Sequence, residues 1–305
     1  MTGREHIPVL REEVLDLLDP SRQGLYLDGT VGLGGHAEAI LESHPRARLV
    51  GLDLDEEALR LAGERLSPYA DRVRLFQADF RLIPELEIDF PSVRGLLLDL
   101  GMSSFQLDDP ARGFSHSLDG PLDMRMDRRQ KLTAAAVLDK YSEPKLAHLF
   151  REYGELKQAA KLARAVVSLR RTQRLESTAQ LRLLVEDICR WIPQPGKIHP
   201  AAKAFQALRI EVNRELEGLG EFLETASGLL PPGARIAVIS FHSLEDRIVK
   251  HTFSRLARPE DGAPVLGLLT KKPVVPTEVE TARNPRSRSA KLRAGEILPH
   301  GPQEI

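Results

Sequence analysis

DGTVGLGGHAEAI, residues 28–40, decides how the rest of the chain is read. The apolar run Leu25-Tyr26-Leu27 leads into it, and a helix-forming stretch, residues 37–41, follows. Gly32, Gly34 and Ala37 match the G-x-G-x-x-A spacing of a strand–turn–helix loop whose backbone N–H groups meet a nucleotide. Asp28 stands just ahead of the glycines. Beside a pyrophosphate a carboxylate adds like-charge repulsion, poorly screened in a cleft. A ligand with sulfonium and ammonium charges tolerates or gains from it. The loop therefore leaves NAD(P), S-adenosylmethionine and an empty structural turn as readings, and Asp28 favours the methyl donor.

Outward from the loop, short apolar runs alternate with helical patterns. Residues 25–27, 49–52, 73–76, 96–98 and 236–239 read as buried strands, and residues 56–66 and 244–256 as helices. Pro8 opens a first helix with Leu10, Val14, Leu17 and Leu18 on one face, and Pro20 ends it. Fully apolar strands alternating with helices imply an α/β fold with a mostly parallel sheet covered on both faces. The alternation stops between the fourth and fifth strands. LTAAAVLDKYSEPKLAHLFREYG (132–154) and AAKLARAVVSLRR (159–171) are helical, and WIPQPGKIHP (191–200) is a hinge back to the sheet. The expected organisation is a ligand-binding α/β domain from residues 1–107 and 201–305, with an inserted all-helical domain, 108–200, for substrate recognition.

Acids recur at the strand ends. Asp53 closes the second strand 21 residues after Gly32, the place for a carboxylate that accepts bonds from ribose hydroxyls. Asp79 and Phe80 follow the third strand, suited to an adenine amino group and ring face. Asp99 ends the fourth. One crevice would gather them.

The formal net charge of −1 gives no global sign of a polyanionic partner, so any nucleic acid would have to be met by a local patch. Between Leu156 and Leu175 every charged residue is basic, and Lys157, Lys161, Arg164 and Arg171 recur at helical spacing. A second basic group, Lys271 to Arg293 with three prolines, reads as an extended arm. The single cysteine, Cys189, lies in a helical apolar pattern; it excludes an internal disulfide and suits a reducing compartment. No apolar run approaches the roughly 18 residues of a membrane span, and the first residues lack a signal-peptide apolar core. A cytoplasmic protein with no membrane partner is expected, and no metal site is assigned.

Seven stretches together are more specific than the glycine loop: HIPVLREEVLDLL (6–18), YLDGTVGLGGHAEAIL (26–41), LLLDLGMSSFQLDDPARGFS (96–115), DGPLDMRMD (119–127), HPAAKAFQALRIEVNREL (199–216), VISFHSLEDRIVK (238–250) and NPRSRSAKLR (284–293). They resemble the ribosomal RNA small-subunit methyltransferase H family, also called MraW, over nearly the whole chain. The resemblance implies a class I S-adenosylmethionine-dependent, Rossmann-like fold with an inserted helical domain. It implies methylation of the exocyclic N4 of a cytidine in 16S rRNA, at the decoding centre of the small ribosomal subunit. It also implies donor contacts at Gly34, Gly35, His36, Asp53, Phe80, Asp99 and Gln106. The sequence departs from the family at Phe105, where proline is usual, and at Leu54, where arginine is common.

Methyl transfer is an in-line displacement, so the protein's main task is alignment. A cytosine amine is a weak nucleophile, and an acceptor for its N–H bonds would raise its reactivity. Asp99 is the candidate acceptor, with donor contact or loop structure as the competing role; Ser103 and Ser104 are lesser candidates. His36 and His242 are read as contacts or as helix and turn caps. Methylation at ring carbon C5 normally needs an attacking cysteine, and Cys189 reads as core. Two rival functions remain at this level: an NAD(P)-dependent oxidoreductase on the same loop, and a non-catalytic ribosome-assembly factor.

Overall fold

The computed structural model describes residues 8–21, 23–194 and 197–299. His6 and Ile7 of the first motif, and Pro195 and Gly196 of the expected hinge, lie outside the described residues. The chain forms two compact units, residues 1–101 with 216–305, and residues 102–215.

The first unit opens with helix α1 (Arg11–Leu18), then strand β1 (Leu25–Asp28), α2 (Gly35–Ser43), β2 (Arg48–Asp53), α3 (Glu56–Arg65), β3 (Val73–Gln77) and β4 (Val93–Asp99). β1 is buried along its whole length, as expected of a strand with helices on both faces. Asp55 caps α3, its carboxylate accepting the Glu57 N–H at 3.0 Å and the Ala58 N–H at 3.4 Å.

The second unit is helical: α4 (Ser104–Asp108), α5 (Ala134–Lys140), α6 (Glu143–Glu152), α7 (Ala159–Leu169), α8 (Thr178–Cys189) and α9 (Pro200–Asn213). Its core gathers Phe114, Leu146, Phe150, Leu162, Val166, Leu181 and Val185 with Ala204, Phe205, Leu208 and Val212 of α9. That last group explains where the structure differs from the sequence reading. Residues 201–215 are expected in the sheet domain, but the apolar face of α9 completes the helical core. The segment 191–200 accordingly falls inside the helical unit rather than at the return to the sheet. α7 is also shorter than the basic pattern: Lys161 and Arg164 ride on it, whereas Lys157 and Arg171 flank it.

The chain resumes the first unit with α10 (Leu219–Leu229), β5 (Arg235–Ser240), α11 (Ser243–Ala257), β6 (Leu266–Leu268), α12 (Glu278–Arg283) and β7 (Lys291–Ile297). The sheet order is β3-β2-β1-β4-β5-β7-β6; β1 to β5 run parallel, and β7 is antiparallel to both neighbours.

The end of the expected basic arm, Lys291 to Arg293, is instead the start of β7. KLRAGEI is a core strand because its cations are paired: Arg293 donates to Asp246 at 2.7 Å and Lys291 at 3.1 Å. Arg293 is only 8% exposed. Charged residues at positions 291, 293 and 296 hide this strand from an apolar-run criterion.

Candidate functional site

The strand order turns back at β1, with β2 and β3 on one side and β4 and β5 on the other. Open α/β sheets bind ligands outside the carboxyl ends of the strands at such a switch point. Four adjacent parallel strands deliver a carboxylate to that edge. Asp53 ends β2, Asp28 ends β1, Asp99 ends β4, and Glu245 lies in the first turn of α11, directly after β5.

The glycine loop is wired to these acids. Asp53 Oδ2 accepts the Gly32 N–H at 2.8 Å, and its Oδ1 accepts the Asp55 N–H at 2.9 Å. Gly34 takes φ +80° as it caps α2, a left-handed backbone that side chains disfavour. Asp28, 1% exposed, accepts the Thr30 N–H at 3.1 Å. Thr30 Oγ1 in turn accepts the Asp99 N–H at 2.6 Å. His36, buried in the first turn of α2, holds Nε2 3.7 Å from Asp99 Oδ2. Asp99 Oδ1 is buried and has no hydrogen-bond partner among the described residues.

Phe80 reaches the same edge because Gly29 has no side chain: a Cβ there would sit 2.8 Å from Phe80 Cβ. Its ring meets Phe222 edge-on at 5.0 Å. Asp79, offered by the sequence as an adenine contact, is instead clasped by Arg81 Nε at 2.7 Å and by Arg81 Nη2. That pairing occupies the carboxylate.

Crowding of acids sets the electrostatics. Burial lifts Asp28 to about 7 against the Thr30 hydrogen bond, with Asp53 adding to the rise. Burial lifts Asp53 to about 6, opposed by the Asp55 and Gly32 N–H groups. Asp99 is raised well above the ordinary range by burial, then by the charges of Asp28 and Glu245. An anionic ligand here would worsen the repulsion. A cationic one relieves it and supplies a partner for Asp99 Oδ1.

Gly34, Gly35, His36, Asp53, Phe80 and Asp99 are thus brought to one edge of one unit. Gln106 lies in the helical unit. It is buried and closes a capping box, Ser103 Oγ accepting the Gln106 N–H at 3.2 Å while Gln106 Oε1 accepts the Ser103 N–H at 3.0 Å. Phe105 occupies the second position of α4, a first-turn site where proline would lose no intrahelical bond. The departure from the family therefore leaves the cap intact. Of the two histidines, His242 is a cap: it accepts the Glu245 N–H at 3.3 Å, and Glu245 Oε2 accepts the Phe241 N–H at 2.8 Å. Sequence reasoning misses Thr30 and Glu245; the three-residue spacing of His242 and Glu245 is a capping-box signal that points to the second.

The parallel sheet with its reversed seventh strand, and the acidic edge behind a glycine loop, define a class I S-adenosylmethionine-dependent methyltransferase. A family model described as the MraW methylase family matches residues 3–298. Ribosomal RNA small subunit methyltransferase H of Thermobifida fusca (strain YX) is 47% identical, over 95% of this chain and 93% of the relative. The proteins of that name from Syntrophotalea carbinolica and Symbiobacterium thermophilum are 48% and 46% identical over 95% of the chain, and over 97% and 95% of their own lengths. The chain belongs to the MraW methylase family, and its methyl donor is S-adenosylmethionine.

Proposed function

We propose that the chain methylates the exocyclic N4 of a cytidine in 16S rRNA, at the decoding centre of the small ribosomal subunit. The observation that carries the placement of the reaction is Asp99 Oδ1 at the end of β4, buried and without a hydrogen-bond partner among the described residues. Gly34, Gly35 and His36 hold the donor's amino-acid end at the start of α2, Asp53 accepts from its ribose, and Phe80 packs on its adenine. Gln106 is the remaining donor residue. Bound there, S-adenosylmethionine supplies an electrophilic methyl group. Asp99, whose hold on a proton is strengthened by burial and whose ionised form the cationic donor favours, accepts an N–H of the target amine and takes up the proton released on transfer. Lys157, Lys161, Arg164 and Arg171 meet RNA phosphates. Cys189 ends α8, half-buried in the helical core with burial pushing its thiol up, which does not suit attack on a ring carbon. No helix among the described residues is long and apolar enough to cross a membrane, in keeping with action in the cytoplasm.

The test is transfer of labelled methyl from S-adenosylmethionine to small ribosomal subunits from a strain lacking the gene, with nucleoside mass spectrometry of the product. N4-methylcytidine is expected. Label in 5-methylcytidine, or in no nucleoside, sinks the reading. Undiminished N4-methylcytidine in the rRNA of the deletion strain would mark an assembly factor without catalysis.

A further inference from the structure

The same sheet is polarised. While carboxylates end the strands at one edge, arginines stand at the other: Arg72 directly before β3, Arg48 first in β2, Arg94 second in β4, with Arg46 in the turn leading to β2. They line a cleft of about 640 Å³, together with Gly24 before β1 and Ser92 before β4. Strands of this length put the two edges roughly 13–20 Å apart.

Three features mark the cleft as built. Arg72 Nη1 is fastened to the carbonyls of Leu41, His44 and Ala47 at 3.2, 3.2 and 3.0 Å. Arg94 Nη1 is fastened to those of Pro91 and Val93, both at 3.1 Å. Each guanidinium is therefore anchored through Nη1, and that of Arg72 also lies 5.1 Å from the centre of the Tyr69 ring. Arg94 lies across Gly24, where a Cβ would come within 2.3 Å of its Cγ. Finally, among the described residues no carboxylate pairs with any of the four. Arg235, at the amino end of β5, shows the ordinary alternative: it is paired to Glu296 at 2.9 Å. Four uncompensated guanidinium groups in one cleft of a chain of net charge −1 are a local anion site, and planar forks of N–H donors match phosphate oxygens.

We propose that this cleft docks the phosphodiester backbone of the RNA substrate, away from the reacting edge. The inference rests on the reading of RNA as substrate. An open cleft with cations spread over three strands and a turn suits a continuous chain of phosphates, each of which adds to affinity and to its salt dependence.

The test uses Arg46→Ala/Arg48→Ala, since both residues are exposed and their side chains bond to none of the described residues, with Arg46→Lys/Arg48→Lys as the charge-retaining control. Binding to purified small ribosomal subunits is measured by filter retention over a range of potassium chloride. Removing the cations that neutralise two phosphates is expected to flatten the slope of log affinity against log salt by about 1.4–1.8, with affinity down about tenfold or more at low salt. The lysine pair should keep most of the slope, and S-adenosylmethionine affinity should be unchanged in both. An alanine pair that binds subunits with parental affinity and slope, while the parent binds and methylates them, overturns the proposal alone. A parent that neither binds nor methylates subunits overturns the RNA reading first. Saturable ATP binding that disappears in the alanine pair, with subunit binding unaltered, assigns the cleft to a free nucleotide and overturns the proposal as well.

Discussion

Asp53 accepts the Gly32 backbone N–H at 2.8 Å, across 21 residues of sequence. The carboxylate proposed to meet the donor's ribose is therefore also the brace of the glycine loop. Its other oxygen braces the turn into α3. Asp53→Ala removes both roles and is expected to weaken S-adenosylmethionine binding by about 1.5–3 kcal/mol, roughly 10- to 150-fold. Asp53→Asn, which keeps one acceptor oxygen, should fall between. Calorimetric titration reads both, and a parental dissociation constant for the alanine variant removes Asp53 from the site.

The acidic edge makes stability and donor affinity respond oppositely to pH. Asp28 and Asp53 are lifted to about 7 and about 6, so the folded chain keeps protons that the unfolded chain has already released. Their contribution to stability is full below the ordinary carboxylate range and is lost as pH rises through about 6 and then about 7. A cationic donor favours the ionised acids, so its affinity should rise across the same window. Asp28→Asn is expected to raise the melting temperature of the ligand-free protein at about pH 8, with the difference shrinking toward about pH 5, and to weaken donor binding. A variant that melts below the parent at about pH 8 would show that Asp28 is not destabilising when charged.

Asp99 separates binding from chemistry. Its backbone N–H is tied to Thr30, so Asp99→Asn should leave the strand end in place while removing the proton acceptor. Turnover on small subunits is expected to fall about 10²–10⁴-fold, the usual range for removal of an acid–base group, with donor affinity within a few-fold of the parent. A fall in donor binding that matches the fall in turnover would assign Asp99 to the donor and not to the amine.

The five parallel strands are legible in the sequence because each is a short, nearly unbroken apolar run, and a parallel order places the acids at their ends on one edge. What escapes has a physical pattern. β7 carries Lys291 and Arg293 inside a buried strand, and only the fold brings Asp246 from α11 to neutralise them. The reach of the helical unit escapes because α9 is apolar enough to serve either neighbour, and the choice depends on which core its alanines enter. Arg81's capture of Asp79 is equally invisible, since a two-residue separation says nothing of where a long side chain turns. Thr30 looks like a loop filler. Its role is a hydrogen bond to a residue 69 positions away.

The basic residues expected as one helical stripe are divided between α7 and its flanks. Lys157, Lys161 and Arg164 are exposed, and Arg164 reaches Glu143 at 3.4 Å, a weak surface pair. Replacing the three by alanine should weaken subunit binding and flatten its salt dependence by about 0.7–0.9 for each phosphate no longer neutralised, with donor affinity and melting temperature unchanged. An unaltered salt slope leaves the stripe as a solvated helix face.

Arg293 calls for the opposite outcome, although the sequence groups it with the RNA-facing cations. Its guanidinium and the Lys291 ammonium are what let Asp246 stay ionised on a buried helix turn. Burial pushes that carboxyl up, but the bonds from Arg293 and Lys291 hold it below the ordinary range. Removing one partner of a buried pair strands the other charge and costs about 3–5 kcal/mol. Asp246→Ala and Arg293→Ala are therefore each expected to destabilise the fold by about that amount in denaturant melts, and the double variant by much less than the sum, because neither charge is then left alone. Since the Asp246 shift is downward, the pair's contribution is present above the ordinary carboxylate range and disappears as pH falls from that range through the lowered folded value. An Arg293→Ala protein of parental stability but with weakened affinity for small subunits would return this residue to the RNA-binding surface and break the assignment of β7 as a neutralised core strand.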